Sequence, residues 1–362
     1  VYSVKPRMIR AEGPVPMLPR SEVAALIDAA RRGRVGDAPP EGSVWSVHAH
    51  LNQQGLARAI EARDAEALGA LLSELHLGPV VKGFDQAGPE TATLDADPMQ
   101  RNAQGRRIYH TLMRLGTGLG VVRAWNPEQA ENFPYLDEDA TADAVDAIRE
   151  ALRLAGDFPR TTEGAWGIDT AYGLLSYRQA LTLGYLREVD AHLARTGRRY
   201  GHVVEIGGGL GRMAFNLARR AETPVTVVDL PLVGVMQSAF LTANGVPNTL
   251  WPRELDASPG HVNLVSAFDT AALERLEAPL VLNFDGLVEM TRETQDGYFD
   301  LVRRLGGDLL SVNHEAARMT GQGVRQEWRI GRIAELGLAA QPRAAFLERE
   351  GYIAQSFLAP RG

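Results

Sequence analysis

Cysteine is absent from all 362 residues. Within this sequence that excludes disulfides, thiolate nucleophiles, iron–sulfur clusters and cysteine-ligated zinc. No run of about 18 apolar residues occurs, so neither a transmembrane helix nor a membrane partner is expected. The stretch Val1 to Arg20 lacks the continuous apolar core of a signal peptide, and a cytoplasmic location is the expectation. Basic residues are in the minority: 38 Lys and Arg stand against 45 Asp and Glu, a formal net charge of −7. Phosphate backbones need a basic face, so no nucleic-acid partner is expected. A G-x-x-x-x-G-K-[ST] loop is missing, which leaves a P-loop nucleotide site unsupported. What remains is the composition of an ordinary globular protein, 45% hydrophobic and 23% charged. Its length suits two domains, or one enlarged domain with an extension.

The chain changes character near its middle. Residues 1–160 read as mostly helical. Ser21 can cap a helix carrying Val23, Ala24, Leu26 and Ile27. Leu56, Ile60, Leu68, Leu71, Leu72 and Leu75 follow helical spacing over Gln54–Leu75, and further helices are predicted over Arg106–Leu115 and Asp139–Leu154. The stretch Asp85–Met99, with Gly88, Pro89 and Pro98, reads as a loop, and Asp157–Asp169 as a hinge. A long helix is predicted over Leu174–Thr196, with Arg187 and Glu188 on its solvated face. From Gly201 onward, short β-rich runs alternate with helical stretches. Strands are predicted at His202–Ile206, Val225–Leu230, Val262–Phe268, Leu280–Phe284 and Asp308–Val312. Such alternation implies a mainly parallel sheet with right-handed crossovers. Ligands then bind beyond the carboxyl ends of the strands.

The strongest local feature is Val203-Val204-Glu205-Ile206-Gly207-Gly208-Gly209-Leu210-Gly211-Arg212, a strand that turns through glycines into a helix. Glycine lets the backbone turn sharply and approach a ligand without a Cβ, and the helix start offers free N–H groups. Asp229 ends the next strand, where a carboxylate can accept hydrogen bonds from ribose hydroxyls. Two cofactors suit this arrangement. Gly209-Leu210-Gly211-Arg212-Met213-Ala214 fits the G-x-G-x-x-A fingerprint of a dinucleotide site. The acid Glu205 at the start of the loop instead favours S-adenosylmethionine, which carries a positive sulfonium and amino group and no phosphate.

The spacing Glu205-x-Gly207-x-Gly209-x-Gly211 resembles the first motif of class I methyltransferases. Together with Val228-Asp229-Leu230-Pro231, Asn283–Met290, Tyr298-Phe299 and Ser311-Val312-Asn313, it resembles the bacterial sugar O-methyltransferase family of natural-product pathways. The resemblance spans about Gly201–Asn313, with a fainter echo around Leu115–Pro127; Gly286-Leu287-Val288 replaces the family's usual Ser-Phe before the Glu. It implies an α/β Rossmann-like class I methyltransferase domain over 161–362, with an antiparallel last strand. Residues 1–160 would then form a helical domain that covers the acceptor or makes a homodimer interface. The implied donor is S-adenosylmethionine, leaving as S-adenosylhomocysteine. The implied acceptor is a small molecule: a hydroxyl of a sugar or glycosylated natural product, or alternatively an amine, carbon or phenol of a secondary metabolite. A non-catalytic scaffold of the same fold is a further alternative.

Donor-site candidates are Glu205, Gly207, Gly208, Gly209, Gly211, Asp229, Leu230, Phe268, Asp269 and Asn283. Methyl transfer to an alcohol needs a base, because the hydroxyl is almost un-ionised at neutral pH. His314, just past a strand end, leads that list, since an imidazole titrates near neutrality. Asp285 and Glu289, four residues apart, could share one face of a helical turn and act as base or hold a substrate hydroxyl. No tight ligand motif supports a metal. His48-x-His50, His110, Tyr172 and Tyr177 read as packing residues before functional ones, as do Trp125, Trp166, Trp251 and Trp328.

Overall fold

In the computed structural model, residues 6–12, 18–33, 37, 39–123, 138–316, 318–319, 325–326, 333 and 335–360 are described. The chain opens with a short strand, β1 (Met8–Arg10), followed by helices α1 (Arg20–Arg32), α2 (Val44–Asn52), α3 (Gln54–Glu61), α4 (Ala65–Ser73), α5 (Gly88–Ala96), α6 (Pro98–Gly118) and α7 (Glu138–Ala151). The helical run expected over Gln54–Leu75 is broken where Arg63 takes φ 55° and Asp64 caps α4, accepting from the N–H groups of Glu66 and Ala67. The expected loop at Asp85–Met99 is instead two helix starts. Pro89 and Pro98 sit in the first turns of α5 and α6, where proline's missing N–H costs no hydrogen bond.

The expected hinge at Asp157–Asp169 holds part of a sheet. Strand β2 (Trp166–Thr170) pairs antiparallel with β1 on one side and with β3 (Gly173–Leu175) on the other. Helix α8 (Tyr177–Thr196) follows, capped by the Ser176 hydroxyl and closed by Gly197 in the left-handed conformation. It has no fully solvated face, contrary to the sequence reading of Arg187 and Glu188. It packs against α6 and α9, so Glu188 is buried and Arg187 forks onto the buried Glu348 at 3.0 and 2.9 Å.

The second half runs β4 (Val203–Ile206), α9 (Arg212–Arg220), β5 (Val225–Asp229), α10 (Pro231–Ala243), β6 (Asn248–Leu250), β7 (Val262–Ser266), β8 (Leu280–Phe284), α11 (Arg292–Arg304) and β9 (Asp308–His314). A small hairpin, β10 (Arg318–Met319) with β11 (Arg325–Gln326), precedes β12 (Ala339–Ala340), β13 (Ala344–Ala345) and β14 (Tyr352–Leu358). The main sheet has the order β12-β14-β9-β8-β4-β5-β7-β6, with β13 also on β14. Strands β4 to β9 are mutually parallel, and β14 runs antiparallel beside β9. This is the expected α/β Rossmann-like arrangement, antiparallel final strand included.

Period-two alternation sorts the strands between two layers. Val203, Val225, Val227 and Leu280 join a core that extends through Phe215 and Phe240 to Ile108 of α6 and Val23 of α1. Val204, Ile206, Val228 and Val281 face the other way, against Phe299 and Val302 of α11. Both faces are covered, so the central strands are apolar along nearly their whole length. Polar side chains within them are held: Thr226 by His202 at 2.7 Å, and Asn263 by the backbone of Asp256 at 2.9 Å. Strand order reverses at β4, which places a crevice at its carboxyl end.

Candidate functional site

A cavity of about 430 Å³ opens at that reversal, within the usual size of a small-molecule site. Its floor is the glycine turn after β4. Gly207, Gly209 and Gly211 have φ of 74°, 56° and 89°, a region that side chains with a Cβ rarely enter. A Cβ on Gly208 would lie 2.6 Å from Val227 and 3.1 Å from the Glu205 carboxylate. The turn therefore brings backbone to the cavity wall where a side chain would fill it.

Two acids stand in this floor. Glu205 is buried at 4% exposure, and its Oε2 has no hydrogen-bond partner. Burial, with Asp229 nearby, pushes its pKa up to about 8. Asp229 ends β5 and accepts from the Leu230 N–H and the Gln237 amide, each at 2.8 Å. Enclosure raises it to about 7 against those hydrogen bonds. Gln237 also donates to the Gly209 carbonyl at 2.9 Å, tying the acid to the turn. Leu230 and Phe268 line the wall beyond Asp229. Two enclosed carboxyls that ionise once a cation lies beside them make this floor a poor cradle for pyrophosphate and a good one for a cationic nucleoside.

The opposite end is built around Asp285, at the tip of β8 with φ 62°, a conformation aspartate tolerates better than most residues. Its carboxylate accepts from Arg349 at 2.5 Å and from the Tyr352 hydroxyl at 2.6 Å. Glu289, on the 3-10 turn Leu287–Glu289, also lines the cavity. Enclosure and the neighbouring Asp285 push its pKa up to about 8; Arg178, a hydrogen bond from Trp45 and Arg349 pull the other way. The two acids do share one side, although through a 3-10 turn rather than an α-helix.

The roof comes from the first half of the chain. Trp45 of α2 and Phe84 pack with ring centroids 5.5 Å apart, and Phe84 sits directly over Gly209. Arg178 of α8 donates to the Gly83 carbonyl at 3.1 Å and lines the cavity. Tyr185 stacks on Phe284 at 4.5 Å, nearly parallel. Below the roof, the buried Asp85 pairs with Arg212, the first residue of α9, and with His76 Nε2 at 3.2 Å. Burial alone would raise the Asp85 carboxyl, but Arg212 and His76 outweigh it and hold it well below the usual carboxylate range. This buried pair ties the roof to the glycine turn.

Several expected site residues lie elsewhere. His314 does not reach the cavity: it pairs across the strands with Tyr352 and meets that ring edge-on at 5.7 Å, so β14 stands on its flank. Asn283 is fully buried behind the wall as a brace, donating to the Ile206 carbonyl at 2.9 Å and accepting from Leu287 N–H and Asn313. Asp269 points to its own turn, accepting from the Ala271 N–H, while its neighbour Phe268 lines the wall. Gly211 caps α9 behind the wall, against Gln237.

The packing candidates also resolve. His48 and His50 are on helix α2, where His48 bonds Asn52 at 3.1 Å. His110 lies on the exposed side of α6. Tyr172 and Tyr177 pack under Arg149 and Arg107. Trp166 bonds Asp95, and Trp251 covers Gly33 at the end of α1; Trp125 and Trp328 lie outside the described residues. The tryptophan that lines the cavity is Trp45, which sequence reasoning passed over, as it did Phe84, Arg178, Tyr185, Arg349 and Tyr352. No local motif marks any of them. Among the described residues no group of three or more His, Asp or Glu could hold a metal ion, and no helix is long and apolar enough to cross a membrane.

No protein-family model matches this chain, and no curated protein matches it significantly in sequence. Solved structures do resemble it. The glycopeptide N-methyltransferase MtfA is 16% identical, with 48% of this chain and 95% of that one covered, at a TM-score of 0.36. The N-methyltransferase NodS from Bradyrhizobium japonicum WM9, solved with S-adenosylhomocysteine, is 15% identical over 49% and 88%, at 0.31. The PH0226 protein from Pyrococcus horikoshii OT3 is 12% identical over 49% and 90%, at 0.35. All three share under a fifth of their residues with this chain, and the assignment of the cavity rests on its own side chains.

Proposed function

We propose that this protein is an S-adenosylmethionine-dependent methyltransferase acting on a hydroxyl of a sugar or glycosylated natural product. The observation that carries the proposal is the pair of acids in the glycine floor. Glu205 has an enclosed, unpartnered oxygen and Asp229 sits at the end of the neighbouring strand. Glu205 would receive the donor's amino group and Asp229 its ribose hydroxyls, with Leu230 and Phe268 beside the adenine. Arg178 would meet the donor's carboxylate. When bound, the donor supplies an electrophilic methyl group on a positively charged sulfur.

At the acceptor end, Glu289 is the base in preference to His314. It faces the cavity, and its raised pKa makes it a stronger proton acceptor than an ordinary carboxylate. Asp285, already held by Arg349 and Tyr352, orients the acceptor. The apolar faces of Trp45, Phe84 and Tyr185 suit the C–H faces of a sugar ring, and the carboxylates suit its hydroxyls. Residues 1–160 then act as the lid of the acceptor site and 161–362 as the donor-binding domain. Positioning of this kind contributes effective molarities of about 10⁵–10⁸ M, and a base roughly 10²–10⁴-fold.

Calorimetric titration tests the proposal. S-adenosylmethionine and S-adenosylhomocysteine should both bind and NAD should not. Asp229→Ala should weaken both by about tenfold to a hundredfold, since hydrogen bonds to a charged group are worth about 1.5–3 kcal/mol. Binding of NAD alone, or unchanged affinity in Asp229→Ala, would overturn it. An acceptor screen with radiolabelled donor then separates sugars from amines and phenols.

A further inference from the structure

We infer that the charge of the methyl donor controls the acceptor-side base: Glu289 holds its proton in the empty cavity and gives it up when a sulfonium enters. The inference rests on the methyltransferase reading above and extends it to how the two ends of the site communicate.

The geometry is that of one cavity with too few cations. Glu205, Asp229, Asp285 and Glu289 all line it. The nearby arginines are largely committed. Arg349 is paired with Asp285, Arg212 with Asp85 and Arg304 with Glu274. The groups around Glu289 come from several elements. Asp285 lies beside it, Arg178 reaches in from α8, and Arg349 acts through Asp285. The Trp45 indole, from α2, lines the same cavity and acts as a donor that favours the Glu289 carboxylate. From β9, His314 turns towards Tyr352, whose hydroxyl is already on Asp285. Strand β11, which carries Arg325, packs against the same 3-10 turn. Its surroundings leave Glu289 at about 8, protonated at neutral pH while the cavity holds no donor.

A positive charge in the same enclosed space favours the carboxylate. In a cavity of this size, one unit charge shifts an enclosed carboxyl by about one pH unit or more. The proton released goes to solvent, leaving Glu289 able to take the acceptor hydroxyl's proton as the carbon–oxygen bond forms and the carbon–sulfur bond breaks. The sulfur keeps the bonding electron pair and becomes neutral, so the carboxyl reverts to its proton-holding state. The base is thus competent only when methyl transfer can follow.

The two ligands S-adenosylmethionine and S-adenosylhomocysteine differ by one methyl group and one charge, which makes the test direct. The indole N–H of Trp45, assigned as the signal lost in Trp45→Phe, is followed by two-dimensional NMR of ¹⁵N-labelled protein from pH 5.5 to 9.5. In the free protein and with saturating S-adenosylhomocysteine it should titrate with a midpoint near pH 8. With S-adenosylmethionine the midpoint should fall by about one unit or more, and in Glu289→Gln the titration should vanish. By linkage, the preference for S-adenosylmethionine over S-adenosylhomocysteine should rise several-fold from pH 6.5 to 9, and less in Glu289→Gln. Coincident midpoints with both ligands bound would overturn this inference and leave the methyltransferase reading standing. Failure of both ligands to bind would overturn the methyltransferase reading, and this inference with it.

Discussion

Replacing Glu205 with glutamine should stabilise the ligand-free protein progressively as pH rises, while weakening its hold on the donor. Glu205 is 4% exposed, with one oxygen unpartnered, and its pKa is about 8 against an ordinary 4.5. Between those two values the folded chain holds a proton that the unfolded chain has lost. The contribution of this group to stability is therefore full below about pH 4.5 and declines as pH climbs towards 8, at about 1.4 kcal/mol per pH unit. From pH 5.5 to 7.5 the loss is ~3 kcal/mol. Glutamine has the same shape and does not titrate, so Glu205→Gln escapes this decline. Glu289 titrates in both proteins and cancels in the difference, while Asp229 is relieved of its acidic neighbour in the variant, which widens the gap in the same direction. The gap in melting temperature between variant and wild type should widen by on the order of 6 °C across those two pH units, taking roughly 2 °C per kcal/mol for a chain above 250 residues and two-state unfolding. Thermal unfolding at pH 5.5, 6.5 and 7.5 measures it, and calorimetry with S-adenosylhomocysteine at pH 7.5 should show at least a tenfold loss of affinity. Parallel pH profiles for the two proteins would refute the unpaired-acid argument. Undiminished donor affinity would refute the role given to Glu205.

Asp85→Asn should destabilise the protein by about 3–5 kcal/mol, because it leaves the buried Arg212 guanidinium without its partner; denaturant unfolding at pH 7 checks this, and a change under 1 kcal/mol would mean the roof is not anchored through this pair. His314→Ala should bind S-adenosylhomocysteine within twofold of wild type, since the ring lies outside the cavity against Tyr352; a loss of tenfold or more would return His314 to the site.

The floor of the cavity was legible in the residues because a strand, a glycine turn and a helix start are local events. Gly207 and Gly209 need positive φ whatever surrounds them, and an acid at the end of each of two adjacent parallel strands must lie near the other. The alternation of apolar runs after Gly201 likewise determined the parallel sheet, because strands buried on both faces leave few polar positions. Where punctuation residues were read one at a time, the reading failed: Pro89 and Pro98 start helices that the same prolines would have broken a turn later.

The end of the cavity around Asp285 was decided only by tertiary structure. In the sequence His314 led as the candidate base, with Asp285 and Glu289 behind it, all three following predicted strands. Insertion of β14 beside β9 set Tyr352 against His314 and brought Arg349 onto Asp285, which leaves Glu289, of these three, lining the cavity outside that ion pair and near Trp45. Trp45 lies 244 residues before Glu289 in the chain. Backbone conformation follows from neighbours a few residues away, whereas the pKa and partner of a buried side chain depend on whichever distant segments pack around it.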